Sequence, residues 1–167
     1  GYKWTFEKVL EKFVGTDNEI YYKEILQVRT KGLTVVTADD VANAERIINE
    51  LKSNDFTHEI INTETSDRFE VYKQLKIKGY EIDGLPLKSM LDLVIVDHKV
   101  KKVFIYDLKT TWSVENFLEE YYLYRRAYIQ AYLYYIAVRQ QFKTLVNEGY
   151  VVEFPQFIVC DSINYYA

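Results

Sequence analysis

Two apolar runs dominate the pattern of hydrophobic and polar positions. Met90 to Val96 and Val103 to Leu108 are rich in Val, Ile and Phe, and each reads as a mostly buried strand. The polar connection Asp97-His98-Lys99-Val100-Lys101 between them reads as the turn of a hairpin. Upstream, Phe69 to Tyr80 alternates, with Val71, Lys73, Leu75 and Ile77 on one face and Tyr72, Gln74, Lys76 and Lys78 on the other. That period of two predicts a further strand. Gly79, Asp83, Gly84 and Pro86 mark a turn into the hairpin, and Phe157 to Cys160 predicts a last strand.

Helical spacing accounts for most of the remainder. Trp4 to Phe13 places Phe6, Val9, Leu10 and Phe13 on one face, whereas Glu19 to Val28 fits helix or strand. Thr37 is placed to cap a helix that has Asp39 and Asp40 in its first turn and Val41, Ala44, Ile47, Ile48 and Leu51 on its apolar face. Ser53-Asn54-Asp55 ends it, and Phe56 to Ile61 predicts a short helical turn. A long helix, with room for a break, is predicted from about Val114 to Val146. Thr111 or Ser113 caps it, Leu118, Tyr122, Ile129, Leu133 and Ile136 form a core stripe, and Gly149 sits at its C-terminal end.

The central hairpin carries the candidate chemistry. If it folds symmetrically about Lys99-Val100, Asp92 lies opposite Asp107. Like charges across a sheet destabilise it, so such a pair points to a cation between the two carboxylates. Lys109 lies two residues beyond Asp107 and shares its face. Two acidic ligands beside an ammonium suit metal-assisted hydrolysis of a phosphodiester, against the plainer reading of a charged strand end. On the long helix, Arg126, Gln130 and Tyr134 follow at i,i+4 intervals on one face, suited to phosphate and nucleotide contacts or to a wet helix surface. Glu45 either joins the site as a further ligand or is a solvated helical side chain. His58 stands between the same alternatives. Gln74, Lys76 and Lys78 either contact a polyanion or protect a sheet edge.

Composition narrows these options. A chain of 167 residues, 49% hydrophobic and 28% charged, suits one globular domain. The net charge of −4 means that any nucleic-acid contact must use local basic patches. The 16 Tyr offer apolar area with a polar tip, for stacking on bases or for the core. A single Cys160 excludes an internal disulfide and any four-cysteine zinc or iron–sulfur site within the chain, and its apolar run makes a buried thiol the expectation. No long apolar span and no secretory leader are visible, so the expectation is a cytoplasmic protein without membrane association.

A helix, a strand over Phe69–Tyr80, a strand bearing Asp92, the sequence Asp107-Leu108-Lys109-Thr110-Thr111 and then the helical run Tyr128-Ile129-Gln130-Ala131-Tyr132-Leu133-Tyr134 form an ordered set. This set resembles the PD-(D/E)XK nuclease superfamily, within it the RecB-like and phage exonuclease branch, over about residues 37 to 161. The resemblance implies a restriction-endonuclease-like α/β (α+β) core of residues 37–167, a mixed sheet flanked by helices, behind a supporting segment 1–36. It implies Mg²⁺ or Mn²⁺ held by Asp92, Asp107 and the Leu108 carbonyl, with Glu45 as the helix-borne ligand and His58 and Glu70 as rivals. Lys109 would be the catalytic lysine and Gln130 its companion. Gln130, Tyr134, Arg126, Lys88 and Thr110 would meet the substrate. Ser89 stands where relatives often have Gly.

The implied activity is metal-dependent hydrolysis of DNA, foremost as an exonuclease on linear duplex ends in phage or mobile-element recombination, in a bacterial or phage-infected cell. A homo-oligomer and a recombination partner protein are implied with it. The alternatives are a catalytically inactive binding or assembly module and a structure-specific endonuclease.

Overall fold

A computed structural model describes residues 5–164. The chain divides into two compact units, Gly1–Asn43 and Ala44–Ala167. The first holds helices α1 (Phe6–Glu11) and α2 (Glu19–Thr30). The ambiguous run from Glu19 is thus helical, and Phe13 stacks on Tyr22 with ring centroids 4.2 Å apart. Trp4, the predicted start of α1, lies outside the described residues. Helix α3 (Ala38–Ser53) begins as expected. The Asp40 amide donates to Thr37 Oγ1 at 3.1 Å, while the Thr37 amide donates back to the Asp40 carboxylate at 2.9 Å. This reciprocal cap satisfies amides that the first helical turn leaves without partners.

The second unit is mixed α/β: a five-stranded mixed sheet flanked by helices. Strands β1 (Phe69–Ile82), β2 (Leu85–Asp97) and β3 (Lys102–Thr111) pair antiparallel in sequence order. Beyond β3, the two-residue β4 (Val151–Val152) and β5 (Gln156–Asp161) pair with it in parallel. β4 is too short to show in the hydropathy pattern. β1 and β2 run longer than predicted because the connection shrinks to Asp83-Gly84, both at positive φ. An Asp-Gly pair in that conformation closes a two-residue hairpin and lets the strands continue to the turn.

Both faces of the sheet are covered. Leu51 of α3 and the neighbouring Ile60 and Ile61 of α4 (His58–Ile61) pack on Leu93, Ile95, Tyr106, Ile158 and Cys160. Helix α5 (Ala127–Gln141), with α6 (Lys143–Asn147) following, packs on the other face over Val94, Val96, Val103 and Ile105. β2 from Leu91 onward and most of β3 are therefore buried on both sides, as uniformly apolar runs require. Cys160 is a buried free thiol, and burial chiefly raises its pKa. Among the described residues no helix is long and apolar enough to cross a membrane.

Two expectations are corrected. The strict alternation of β1 breaks at Gln74, whose φ is +52°. Val71 packs with Leu93 and Ile95, but Leu75 and Ile77 pack on the opposite face with Leu91 and Val94. One left-handed residue reverses which side chains face inward, as a bulge does. The predicted long helix is also divided. A π-helical stretch (Leu118–Tyr124) comes first, Arg126 at φ +57° breaks the path, and α5 begins at Ala127. The expected stripe forms the core only in part: Ile136 packs on it and Tyr122 and Leu133 are half-buried, but Leu118 is 63% exposed and Ile129 46%. Ala127, Ala131, Ala137 and Val138 are buried instead. In a helix apolar on most sides, small side chains decide the packed face, because they let the backbone approach the sheet.

The turn between β2 and β3 is held by Asp97. Its carboxylate accepts the Lys99 and Val100 amides at 2.9 and 3.3 Å and two guanidinium nitrogens of Arg68 at 2.6 to 3.2 Å. Arg68, followed by burial and those amides in opposition, sets its pKa, and the net direction is down. A depressed folded-state pKa contributes stability that is present above the unfolded value of about 4 and lost as pH falls through the folded value. Asp97→Asn is expected to cost on the order of 2 kcal/mol at neutral pH, the range for breaking a charged hydrogen-bond cluster. Urea unfolding from neutral to acid pH should show that gap closing; a gap independent of pH would contradict the assignment.

Candidate active site at the open end of the hairpin

The hairpin register follows the predicted symmetry. Leu93 pairs with Tyr106, and each step to Asp97–Lys102 keeps the same sum. The ladder stops at Leu93–Tyr106, and the next positions are Asp92 and Asp107. Just beyond the last pair, the Leu108 amide donates to Asp92 Oδ2 at 3.0 Å. Gln74, at the kink in β1, donates from Nε2 to Asp92 Oδ1 at 3.2 Å. The carboxylate is thus held from both neighbouring strands.

Asp107 is only 2% exposed. The Lys109 ammonium forms an ion pair with its Oδ2, yet that oxygen takes no hydrogen bond of proper geometry. Burial raises the Asp107 pKa, Lys109 opposes the rise, and Asp92 adds to it; the net direction is up. For Lys109, burial works downward, but Asp107, with Tyr121 and Tyr134 behind it, lifts the ammonium above its usual range. Tyr121 comes from the π-helical stretch, with its ring centre 5.7 Å from the ammonium.

Helix α5 supplies the roof. Gln130 Nε2 donates to Tyr134 Oη at 2.8 Å, the i,i+4 contact that the spacing predicts. Burial raises the Tyr134 pKa, Gln130 opposes it, and the charges of Asp107, Lys109 and Asp92 all act on it. Asp92, Asp107, Lys109, Gln130 and Tyr134 therefore form one electrostatic group. On the α3 side, a cavity of about 450 Å³ reaches Asp92, lined by Lys52, Ile61, Lys73, Gln74, Leu93 and Leu108.

The other predicted residues stand apart from this group. Glu45 is exposed on α3. His58 turns Nδ1 back to the Asn54 carbonyl at 3.0 Å. Glu70 pairs across β2 with Val96, four residues from Asp92 or about 13 Å along the strand. There it accepts from the Tyr72 hydroxyl and meets His98 Nε2 at 3.0 Å. Arg126 is exposed at the start of α5, and Lys88 and Thr110 are exposed on their strands. Among the described residues no three His, Cys, Asp or Glu side chains converge as a metal cluster. Sequence reasoning missed Tyr121 and Lys52, which carried no local signal, and the Gln74 contact, which depends on a left-handed residue.

No protein-family model matches the chain, nor does any curated protein or solved structure.

The coupling of the two carboxylates has a direct readout. Asp92→Asn should lower the pKa of Asp107 by removing a neighbouring negative charge, and Lys109→Met should raise it. Carboxyl ¹³C shifts followed through an NMR pH titration measure both. Identical Asp107 titrations in wild type and the two variants would show that the groups do not sense each other.

Proposed function

We propose that the chain is a metal-dependent nuclease of PD-(D/E)XK type, with a restriction-endonuclease-like core, that hydrolyses phosphodiester bonds in DNA. The observation that carries this reading is the meeting of Asp92 and Asp107 at the open end of the ladder, with Lys109 against Asp107. A carboxylate pKa raised by burial and by a neighbouring carboxylate suits a site completed by a cation. Two carboxylates form a small donor set, and that suits Mg²⁺ or Mn²⁺. Mg²⁺ in particular keeps several waters and commonly binds one or two carboxylates together with substrate phosphates.

Asp92 and Asp107 would hold the cation, with the Leu108 carbonyl beside them. When bound, it supplies a water of lowered pKa and neutralises phosphate charge. Lys109 stays protonated beside Asp107 and donates to the attacking water or to a non-bridging phosphate oxygen, where negative charge grows. Gln130 and Tyr134, already hydrogen-bonded to each other, orient the substrate backbone from above. Burial under α5 strengthens each of these interactions by excluding solvent.

The particular activity we infer is exonucleolytic, on linear duplex ends, in phage or mobile-element recombination. It rests on the order of motifs along the chain. The second reading is a nuclease fold that binds without cutting; among the described residues Asp92 and Asp107 are joined by no third acidic side chain.

Linear and closed circular duplex DNA, each with Mg²⁺, Mn²⁺ or chelator, separate these readings. The expected outcome is metal-dependent loss of linear DNA only, reduced at least about 100-fold in Asp107→Ala and Lys109→Ala. Cutting of circles would assign an endonuclease. Inactivity on every nucleic acid, with no Mg²⁺ uptake by calorimetry, would leave the binding module. Where Mg²⁺ is taken up, its affinity should rise as pH climbs out of the ordinary carboxylate range, since the metal competes with the proton on Asp107.

A further inference from the structure

The protein is acidic, yet five lysines on and beside β1 and β2 have no acidic partner. Lys52, Lys73, Lys76, Lys78 and Lys88 are all exposed, and among the described residues none takes part in an ion pair. They are not scattered. Lys52 and Lys73 line the cavity that reaches Asp92. Lys76, Lys78 and Lys88 line a second cavity of about 420 Å³ farther along the same two strands, with Met90 and Ser89. Lys78 lies directly across from Lys88 in the ladder.

Such a placement is costly in the protein alone. Like charges directly opposite on neighbouring strands destabilise the pair. Edge protection accounts for lysines on β1, whose outer side has no neighbouring strand among the described residues. It does not account for Lys52 on a helix, nor for two lysines set against each other. A polyanion laid along the strands would account for all five. From Asp92 to Lys88 the strand covers four residues, about 13 Å, so an anion running along it would meet charge from the cavity outward.

We propose that these five lysines form a track for one phosphate backbone of duplex DNA, leading along the β1–β2 ribbon to Asp92. This rests on the nuclease reading, because it makes the Asp92 cavity the end of the path. It assigns the binding that an acidic protein needs to a single local surface. Neutralising lysines on that surface weakens binding by removing phosphate contacts, each of which releases condensed counterions from the DNA.

The test is fluorescence anisotropy of a labelled linear duplex oligonucleotide in chelator, where cleavage does not intrude. The full chain is compared with the triple variant Lys76→Gln, Lys78→Gln, Lys88→Gln. A control triple, Lys31→Gln, Lys99→Gln, Lys143→Gln, makes the same change in net charge at exposed positions elsewhere. The track triple is expected to weaken binding at least tenfold and to lower the slope of log affinity against log salt by about two to three. The control is expected to change affinity less than threefold. Equal effects of the two triples would overturn the track, as would competition by polyglutamate as strong as that by unlabelled DNA. Track-independent binding with metal-dependent cleavage would overturn the track and leave the nuclease reading standing. Track-dependent binding without cleavage under any metal would keep the track and remove the catalysis.

Discussion

The register of the β2–β3 hairpin is the constraint on which the candidate site depends. Side chains alternate along a strand, so a slip of one residue would send Asp107 and Lys109 to the opposite face, away from α5. Two features hold the register. The apolar residues of both strands are packed from both sides of the sheet, so neither face tolerates exchange. At the closed end, Asp97 gathers two turn amides and the Arg68 guanidinium, which ties the turn to the residue just before β1. With the closed end fixed, the register carries Asp92 and Asp107 to the open end together.

Electrostatics at that open end is poised rather than settled. Asp107 is buried beside another carboxylate, which by itself would favour a proton on one of them. Lys109 offsets that tendency and is itself held charged by it. The Leu108 amide and Gln74 satisfy Asp92 from the neighbouring strands, while Asp107 is ion-paired with Lys109. Burial and the neighbouring Asp92 charge act on Asp107 in one direction, and the Lys109 ammonium acts in the other. The lysines along β1 and β2 continue the same logic outward, as uncompensated charge of one sign beside a carboxylate site on an acidic protein.

The nature of several elements was written locally. Runs of Val and Ile specified β2 and β3, the reciprocal Thr37–Asp40 cap specified the start of α3, and Asp83-Gly84 specified a tight hairpin. The hairpin register that brings Asp92 near Asp107 and the contact of Gln130 with Tyr134 were also legible, since each follows from spacing within one hairpin or one helix. Tertiary structure decided what no period encodes. It reversed β1 at Gln74, placed alanines rather than Leu118 and Ile129 against the sheet, and left Glu45 in solvent. It also brought Tyr121, Lys52 and Lys73 toward residues far away in the chain. The reason is physical: a repeat within one element reports which residues share a face, but which face is buried, and what lies across from it, depends on contacts between distant segments.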